Sequence, residues 1–267
     1  MSADRRKFLK LAGLTALGLA SGKTADLLAD DSLEVVPPDT LPAYAVNPDK
    51  PLVGKRWAMV IDLRKCAEAG DCDKCAKACH VVHNVPDFPN EKDEIKWIWK
   101  ESFHHTFHDQ NHPYIDEKTE HLNALVLCNH CDNPPCVRVC PTQATWKRET
   151  DGIVMMDWHR CIGCRYCVAA CPYGSRSFNY RDPRPFIGEV QEDYPTRMRG
   201  VVEKCTFCEE RLSRGKMPAC VEACDKGALV FGDLEDPESE VRQLLKEHFT
   251  LRRKPGLGTQ PEVFYIV

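Results

Sequence analysis

Apolar positions along this chain fall into short runs separated by polar loops, and few continue long enough for a helix of ordinary length. Trp57 to Ile61, Ala124 to Leu127, Ile153 to Met156 and Val201 to Val202 are compact apolar runs, each closely followed by a cysteine-rich loop, and each predicts a short strand. Val263 to Val267 predicts a last strand. Helical spacing emerges near the C-terminus, where Val241, Leu244, Leu245 and His248 share one face, with Asp236 as the expected N-cap and Pro237 at the first helical position. Residues 80–127 hold Trp97, Trp99, Phe103 and Phe107 but no cysteine, and predict an insertion that packs on the core or meets a partner. His104, His105, His108 and His112 within it lack an acidic or cysteine partner at metal-binding spacing.

The N-terminal pattern is different. Asp4, Arg5, Arg6, Lys7, Phe8, Leu9 and Lys10 precede an apolar run from Leu11 to Ala20, so residues 1–30 predict a twin-arginine signal segment. The run falls short of the roughly 20 apolar residues that span a bilayer. The cleavage candidates Ala20-Ser21-Gly22 and Leu27-Leu28-Ala29 are imperfect, which leaves an uncleaved membrane tether as one expectation. The expected location is the periplasm or the extracytoplasmic face of the membrane. Residues 31–56, with Pro37, Pro38, Pro42, Pro48 and Pro51, predict an extended linker, and residues 57–267 the folded body.

Composition then changes the picture. Hydrophobic residues make up 43% of the 267, a share that includes 16 cysteines, so something besides apolar burial must hold the fold. A formal charge of -4 with scattered signs excludes a nucleic-acid binder. Cysteines this numerous in an exported protein would ordinarily predict disulfides. Twin-arginine export, however, moves proteins already folded, and thiols bound to iron beforehand are protected.

The cysteines form four groups with none left over: Cys66, Cys72, Cys75, Cys79; Cys128, Cys131, Cys136, Cys140; Cys161, Cys164, Cys167, Cys171; and Cys205, Cys208, Cys220, Cys224. Group three, Cys161-x2-Cys164-x2-Cys167-x3-Cys171-Pro172, has the bacterial ferredoxin spacing. Three thiolates on a tight loop wrap three corners of one four-iron cubane. The fourth, one turn into a helix, serves a second. Group two repeats the design with a Pro134-Pro135 bulge. Cys128, Cys131 and Cys136 therefore take Cys171 as fourth ligand, and Cys161, Cys164 and Cys167 take Cys140. By the same geometry Cys66, Cys72 and Cys75 take Cys224, while Cys205, Cys208 and Cys220 take Cys79. Group one is the weak point: its first spacing is widened, His80 and Asp225 replace the expected prolines, and Cys66 must reach its iron across the longer loop.

The expected fold class is α+β, with tandem ferredoxin-like halves of short strands, cysteine loops and short helices. Groups one and four form one half, groups two and three the other, with the insertion and a C-terminal extension added. Ile162, Val137, Val139 and Val168 are expected to keep water off the clusters, and Arg138, Arg165 and Lys204 to offset their charge. Zinc knuckles are the rival, with a zinc-stabilised interaction scaffold as the corresponding function. No Cys-x2-Cys is followed by His, which excludes haem attachment, and a dithiol redox enzyme needs one reactive pair rather than 16 committed thiols.

These four groups in this order resemble the four-cluster ferredoxin-like electron-transfer subunits of membrane-linked oxidoreductases, such as the iron-sulfur subunits of dimethyl sulfoxide, polysulfide and nitrite reductase systems. Ile61-Asp62-Leu63-Arg64-Lys65-Cys66, Ala78-Cys79-His80, His83-Asn84-Val85-Pro86 and Glu94-Ile95-Lys96-Trp97-Ile98-Trp99 look most like the DsrO type of the DsrMKJOP complex of sulfur metabolism. The resemblance implies four 4Fe-4S clusters and a non-catalytic role relaying electrons. It also implies an NrfD-type integral membrane quinone-interacting partner and a cytochrome c or other redox subunit. An electron-transfer subunit serving a molybdopterin oxidoreductase is the alternative.

Overall fold

The computed structural model describes residues 50–110 and 112–267, so the twin-arginine segment and residues 31–49 of the linker lie outside the described residues. No helix among the described residues is long and apolar enough to cross a membrane.

Strand β1 (Trp57–Asp62) is buried along its whole length, and its alternation divides the protein into layers. Trp57, Met59 and Ile61 enter the main core, where cysteines are packed among apolar side chains, whereas Ala58 and Val60 meet Leu234, Val241 and Ile266 on the other face. Asp62 ends the strand by capping α1 (Leu63–Glu68), its carboxylate accepting from the amides of Arg64 at 3.0 Å and Lys65 at 3.4 Å. After α2 (Lys74–Val82) the chain forms a hairpin of β2 (Ile98–Ser102) and the returning β3 (Asn123–Leu127), with α3 (Phe103–Thr106) and α4 (Glu117–Glu120) between them. Residues 80–127 join the main core through Val85, Ile95, Trp97, Ile98, Phe103 and Phe107, while His104, His105, His108 and His112 are exposed.

The remainder alternates between loops and small elements: α5 (Pro135–Arg138), the hairpin β4 (Thr145–Lys147) and β5 (Val154–Met156), α6 (Tyr166–Ala170), and β6 (Ser177–Phe178) paired with β7 (Val202–Glu203). Then come α7 (Glu209–Leu212), α8 (Ala219–Glu222), β8 (Leu229–Asp233), α9 (Glu240–Glu247), β9 (Thr250–Leu251) and β10 (Val263–Ile266). The largest sheet runs β8-β1-β10-β9. In it β1 is antiparallel to β8, with Met59 opposite Phe231, and parallel to β10, with Met59 opposite Val263. The architecture is α+β, and every predicted strand is present within a residue or two.

The C-terminal helix begins later than expected. Asp236 and Pro237 belong to a preceding turn in which the Asp236 carboxylate accepts the Glu238 amide at 3.0 Å and its carbonyl accepts the Ser239 amide at 3.1 Å. Those local bonds compete with helix entry, so Ser239 becomes the N-cap. Val241 is buried against β1, but His248 is the extended C-cap and leaves the helical face.

Candidate metal centres

In three of the Cys-x2-Cys loops the third residue has a left-handed backbone, with φ of +42° at His130, +69° at Gly163 and +55° at Phe207. Such a reversal turns successive amides toward one point and makes an anion-binding nest of the kind iron-sulfur sites use. Amides reach sulfur directly: Phe207 donates to Cys205 Sγ at 3.4 Å, Ala219 to Cys208 Sγ at 3.4 Å and Ala228 to Cys224 Sγ at 3.3 Å. Gly163 is also a point of close approach, since a Cβ there would lie 2.5 Å from the Gly200 carbonyl oxygen. Gly163→Ala is therefore expected to distort the group three loop and lose one cluster's worth of iron while the rest is kept, as read by iron analysis of the purified protein.

The structure gathers the cysteines of three crossed sets and part of a fourth. Cys66, Cys72, Cys75 and Cys224 line one cavity of about 170 Å³, which we term site one. The widened spacing after Cys66 is taken up by the end of α1 and a turn at Gly70, so Cys66 arrives on a helix. Cys79 is buried in the main core with Cys205 and Cys220 where α2 packs on α8, and His83, 3.5 Å from its sulfur, also lies near Cys208; these four cysteines make site two. Cys128, Cys131, Cys136 and Cys171 line a third cavity, site three. Around site four, Cys140, Cys161 and Cys167 share a core with Val154, Met156 and Val202, and Cys164 stands half-buried on the same loop as Cys161. Cys171 lies just past α6 in extended backbone, rather than one turn into the helix as the spacing predicts.

All 16 cysteines are free of disulfides. Burial pushes the Cys75 thiol up to about 11 and the Cys205 thiol to about 12, and raises those of Cys79 and Cys208 as well. Cys140 goes the other way: its modest burial is outweighed by the amides of Thr145, Thr142 and Ala144 and the Thr142 hydroxyl, which hold its thiol below the ordinary value. Thiols this deeply buried are poor nucleophiles on their own, which argues against free-thiol chemistry and for metal ions that displace the proton.

Two cations complete the electrostatics. Lys204 is fully buried and donates to the carbonyls of Val154 and of Cys205, the latter at 2.6 Å. Arg176, 4% exposed, donates to Cys136 Sγ at 3.1 Å and to Thr145 Oγ1 at 2.7 Å. Among the described residues no carboxylate pairs with either; Arg176 meets a cysteine sulfur and Lys204 the carbonyl of a cysteine. An uncompensated buried cation costs several kcal/mol, so these two fit a protein whose cysteines carry anionic clusters. The sulfur donor sets and the two cations thus both suit the implied cofactor.

Comparison with known proteins is consistent with this geometry. Two 4Fe-4S dicluster domain families match residues 122–183 and 160–228. The Hdr-like menaquinol oxidoreductase iron-sulfur subunit 1 of Archaeoglobus fulgidus is 41% identical over 98% of this chain and 97% of its own length. The chain belongs to the four-cluster iron-sulfur electron-transfer subunits. This four-cluster subunit is also 37% identical over 79% of its length to the iron-sulfur cluster-binding subunit of menaquinone reductase from Nitratidesulfovibrio vulgaris, of which 88% is covered. It is 38% identical, again over 79%, to the arsenate respiratory reductase iron-sulfur subunit of a Shewanella species, of which 96% is covered. Its cofactors are four 4Fe-4S clusters, and its fold is a tandem of ferredoxin-like dicluster domains.

Several expectations about the surroundings of the sites need correction. Ile162 is 66% exposed and Val139 38%, so both face outward; Val137 and Val168 are the ones packed around site four. Arg138 and Arg165 are exposed, Arg165 lying over the rings of Phe178 and Tyr180, and only Lys204 of the three named cations is buried. Sequence reading missed Arg176, and it missed a buried ionic cluster beside site two. There Glu203 and Arg197, both wholly enclosed, pair at 2.6 Å. Glu203 also accepts from Trp97 Nε1 at 3.0 Å and Asn179 Nδ2 at 2.5 Å. The Arg197 guanidinium lies against Trp97, Trp158 and Tyr194. His83 stacks on Trp97 and comes near Cys208 and Glu210, but its nitrogens are occupied by Glu210 at 3.0 Å and the Cys79 carbonyl at 2.8 Å. Its place in His83-Asn84-Val85-Pro86 was the only signal for it in the sequence.

Proposed function

We propose that this subunit relays single electrons outside the cytoplasm, between an NrfD-type membrane subunit that handles quinone and a cytochrome c or other redox subunit, without making or breaking bonds itself. The observation that carries this reading is the likeness, over nearly the whole of both chains, to a menaquinol oxidoreductase iron-sulfur subunit. The twin-arginine segment supports the location, and the DsrO-like motifs support the choice of partners. When bound, each 4Fe-4S cluster takes up and releases one electron, at a potential set by hydrogen bonds to sulfur, charge and exposure.

The chain's own part is to hold the clusters and set those conditions. Cys66, Cys72, Cys75 and Cys224 would hold the first; Cys79, Cys205, Cys208 and Cys220 the second; Cys128, Cys131, Cys136 and Cys171 the third; Cys140, Cys161, Cys164 and Cys167 the fourth. The crossing of last cysteines ties group one to group four and group two to group three. Amides of Phe207, Ala219 and Ala228 donate to sulfur, and the apolar packing around Cys75, Cys128, Cys205 and Cys220 excludes water.

A second reading, favoured by the likeness to the iron-sulfur subunit of arsenate respiratory reductase, ends the relay at a molybdopterin catalytic subunit. Purification of the complex from membranes tests both. The first reading expects a co-purifying haem subunit and no molybdenum; a stoichiometric molybdenum subunit would replace it with the second. A colourless preparation loaded with zinc would overturn both.

A further inference from the structure

Lys204 and Arg176 differ in which sites they can reach. Lys204 lies at the junction of sites two and three: its ammonium holds the carbonyl of Cys205, a site two cysteine, and that of Val154, which lines the site three cavity. That junction is tight, because the His130 ring of the site three loop stacks on the Phe207 ring of the site two loop at 3.7 Å between centroids. His130 Nδ1 accepts the Val154 amide at 3.1 Å, and the Val154 carbonyl in turn accepts from Lys204. Arg176 lies instead between sites three and four: it lines the site three cavity and bonds Cys136 Sγ, and it also reaches Met156 Sδ at 3.8 Å, Met156 being packed with Cys167 in the core around site four. Site three thus faces two buried cations, sites two and four face one each, and neither cation lines the cavities at site one.

An added electron makes a cluster site more negative, and a fixed cation in a poorly polarisable interior stabilises that form more than a solvated cation does. We infer that Lys204 and Arg176 together make site three the electron-holding centre of the chain, each raising the reduction potential of site three and of one neighbour. This rests on the proposed electron relay and on the crossed assignment of cysteines. The exchange is one electron in and one out: site three is reduced as a neighbour is oxidised, and no proton need move. An electron held in the middle of the molecule is available to either end, so the chain buffers a donor and an acceptor that do not act at the same moment.

The test is a potentiometric titration followed by electron paramagnetic resonance on the unmodified protein, Lys204→Met and Arg176→Met, with iron counted in each. In each variant two of the four potentials should fall, each by at least a tenfold shift in the reduced-to-oxidised ratio at fixed ambient potential, about 59 mV for one electron. One of the lowered potentials should be common to both variants, and one of the four should move in neither. Lys204→Arg should restore the unmodified pattern. Unmoved potentials, a uniform shift of all four, or two variants with no site in common would overturn the inference. Fewer than four clusters in the unmodified protein would instead overturn the functional reading on which it rests. If a methionine variant loses iron, Lys204→Gln and Arg176→Gln keep a hydrogen-bonding group and carry the same test. Iron loss in these too, with Lys204→Arg and Arg176→Lys fully loaded, would assign the cations to assembly and overturn the inference.

Discussion

Removing the iron from this protein is expected to abolish its cooperative fold rather than merely its colour. The main core is built partly from sulfur: Cys75, Cys79, Cys128, Cys205 and Cys220 are buried in it beside Met59, Ile61, Phe207 and Phe231. The helices around the sites are short, α5, α7 and α8 spanning four residues each and α2 nine, below the roughly 12 to 15 residues at which an isolated helix holds in water. Lys204 and Arg176 would be left as buried cations without counter-charge. Structural zinc contributes about 10–16 kcal/mol to small metal-held domains, and several clusters tying distant loops together should matter no less. Chelation under reducing conditions should therefore erase the near-ultraviolet circular dichroism and leave no sigmoidal transition in urea. A metal-free chain that kept both, with slow hydrogen exchange in Trp57–Asp62, would sink this expectation.

The second large effect is expected at Glu203. Its carboxylate is wholly enclosed and satisfies Arg197, Trp97 and Asn179 at once. Glu203→Ala leaves a buried guanidinium with aromatic faces and backbone carbonyls but no anion, a loss of about 3–5 kcal/mol by comparison with other broken buried pairs. The change should read as a lower urea midpoint with an unchanged slope, followed through cluster absorbance. Arg197→Met should cost a similar amount. The double variant Glu203→Ala with Arg197→Met should lose less than the two single losses summed, since neither charge is then left alone. Full additivity would mean that the pair is not coupled.

What was legible in the sequence follows from how locally each feature is encoded. The spacing within each cysteine group is a property of one loop, and the apolar runs beside the groups are properties of one strand; both read directly. Even the wide gap after Cys66, which made group one suspect, is local, since it becomes the end of α1 and the turn at Gly70. The buried charges are not local. Nothing in Gly174-Ser175-Arg176-Ser177 distinguishes Arg176 from a solvated arginine, and its role comes from Cys136 and Thr145, remote in the chain. Lys204 was legible only through its place one residue before Cys205, and Glu203 beside it carried no signal at all. The end of β7 sends them to opposite sides, one to Arg197 and the other to the carbonyl of Val154. Ile162 misled for the converse reason: an apolar residue inside a cluster loop need not face the cluster.

The pairing of β1 has a consequence for biosynthesis. Its two neighbours in the sheet are β8 and β10, so the first strand of the body borders only strands synthesised long after it. A ribosome presents Trp57–Asp62 long before anything exists for it to pair with, and the group one cysteines wait as long for Cys224. Such distant pairing makes folding slow, and it makes a truncated nascent chain unable to close its sheet. Maturation of this protein therefore waits for its distal strands, which gives the cell a natural checkpoint: only a chain synthesised through β10 can acquire the closed form.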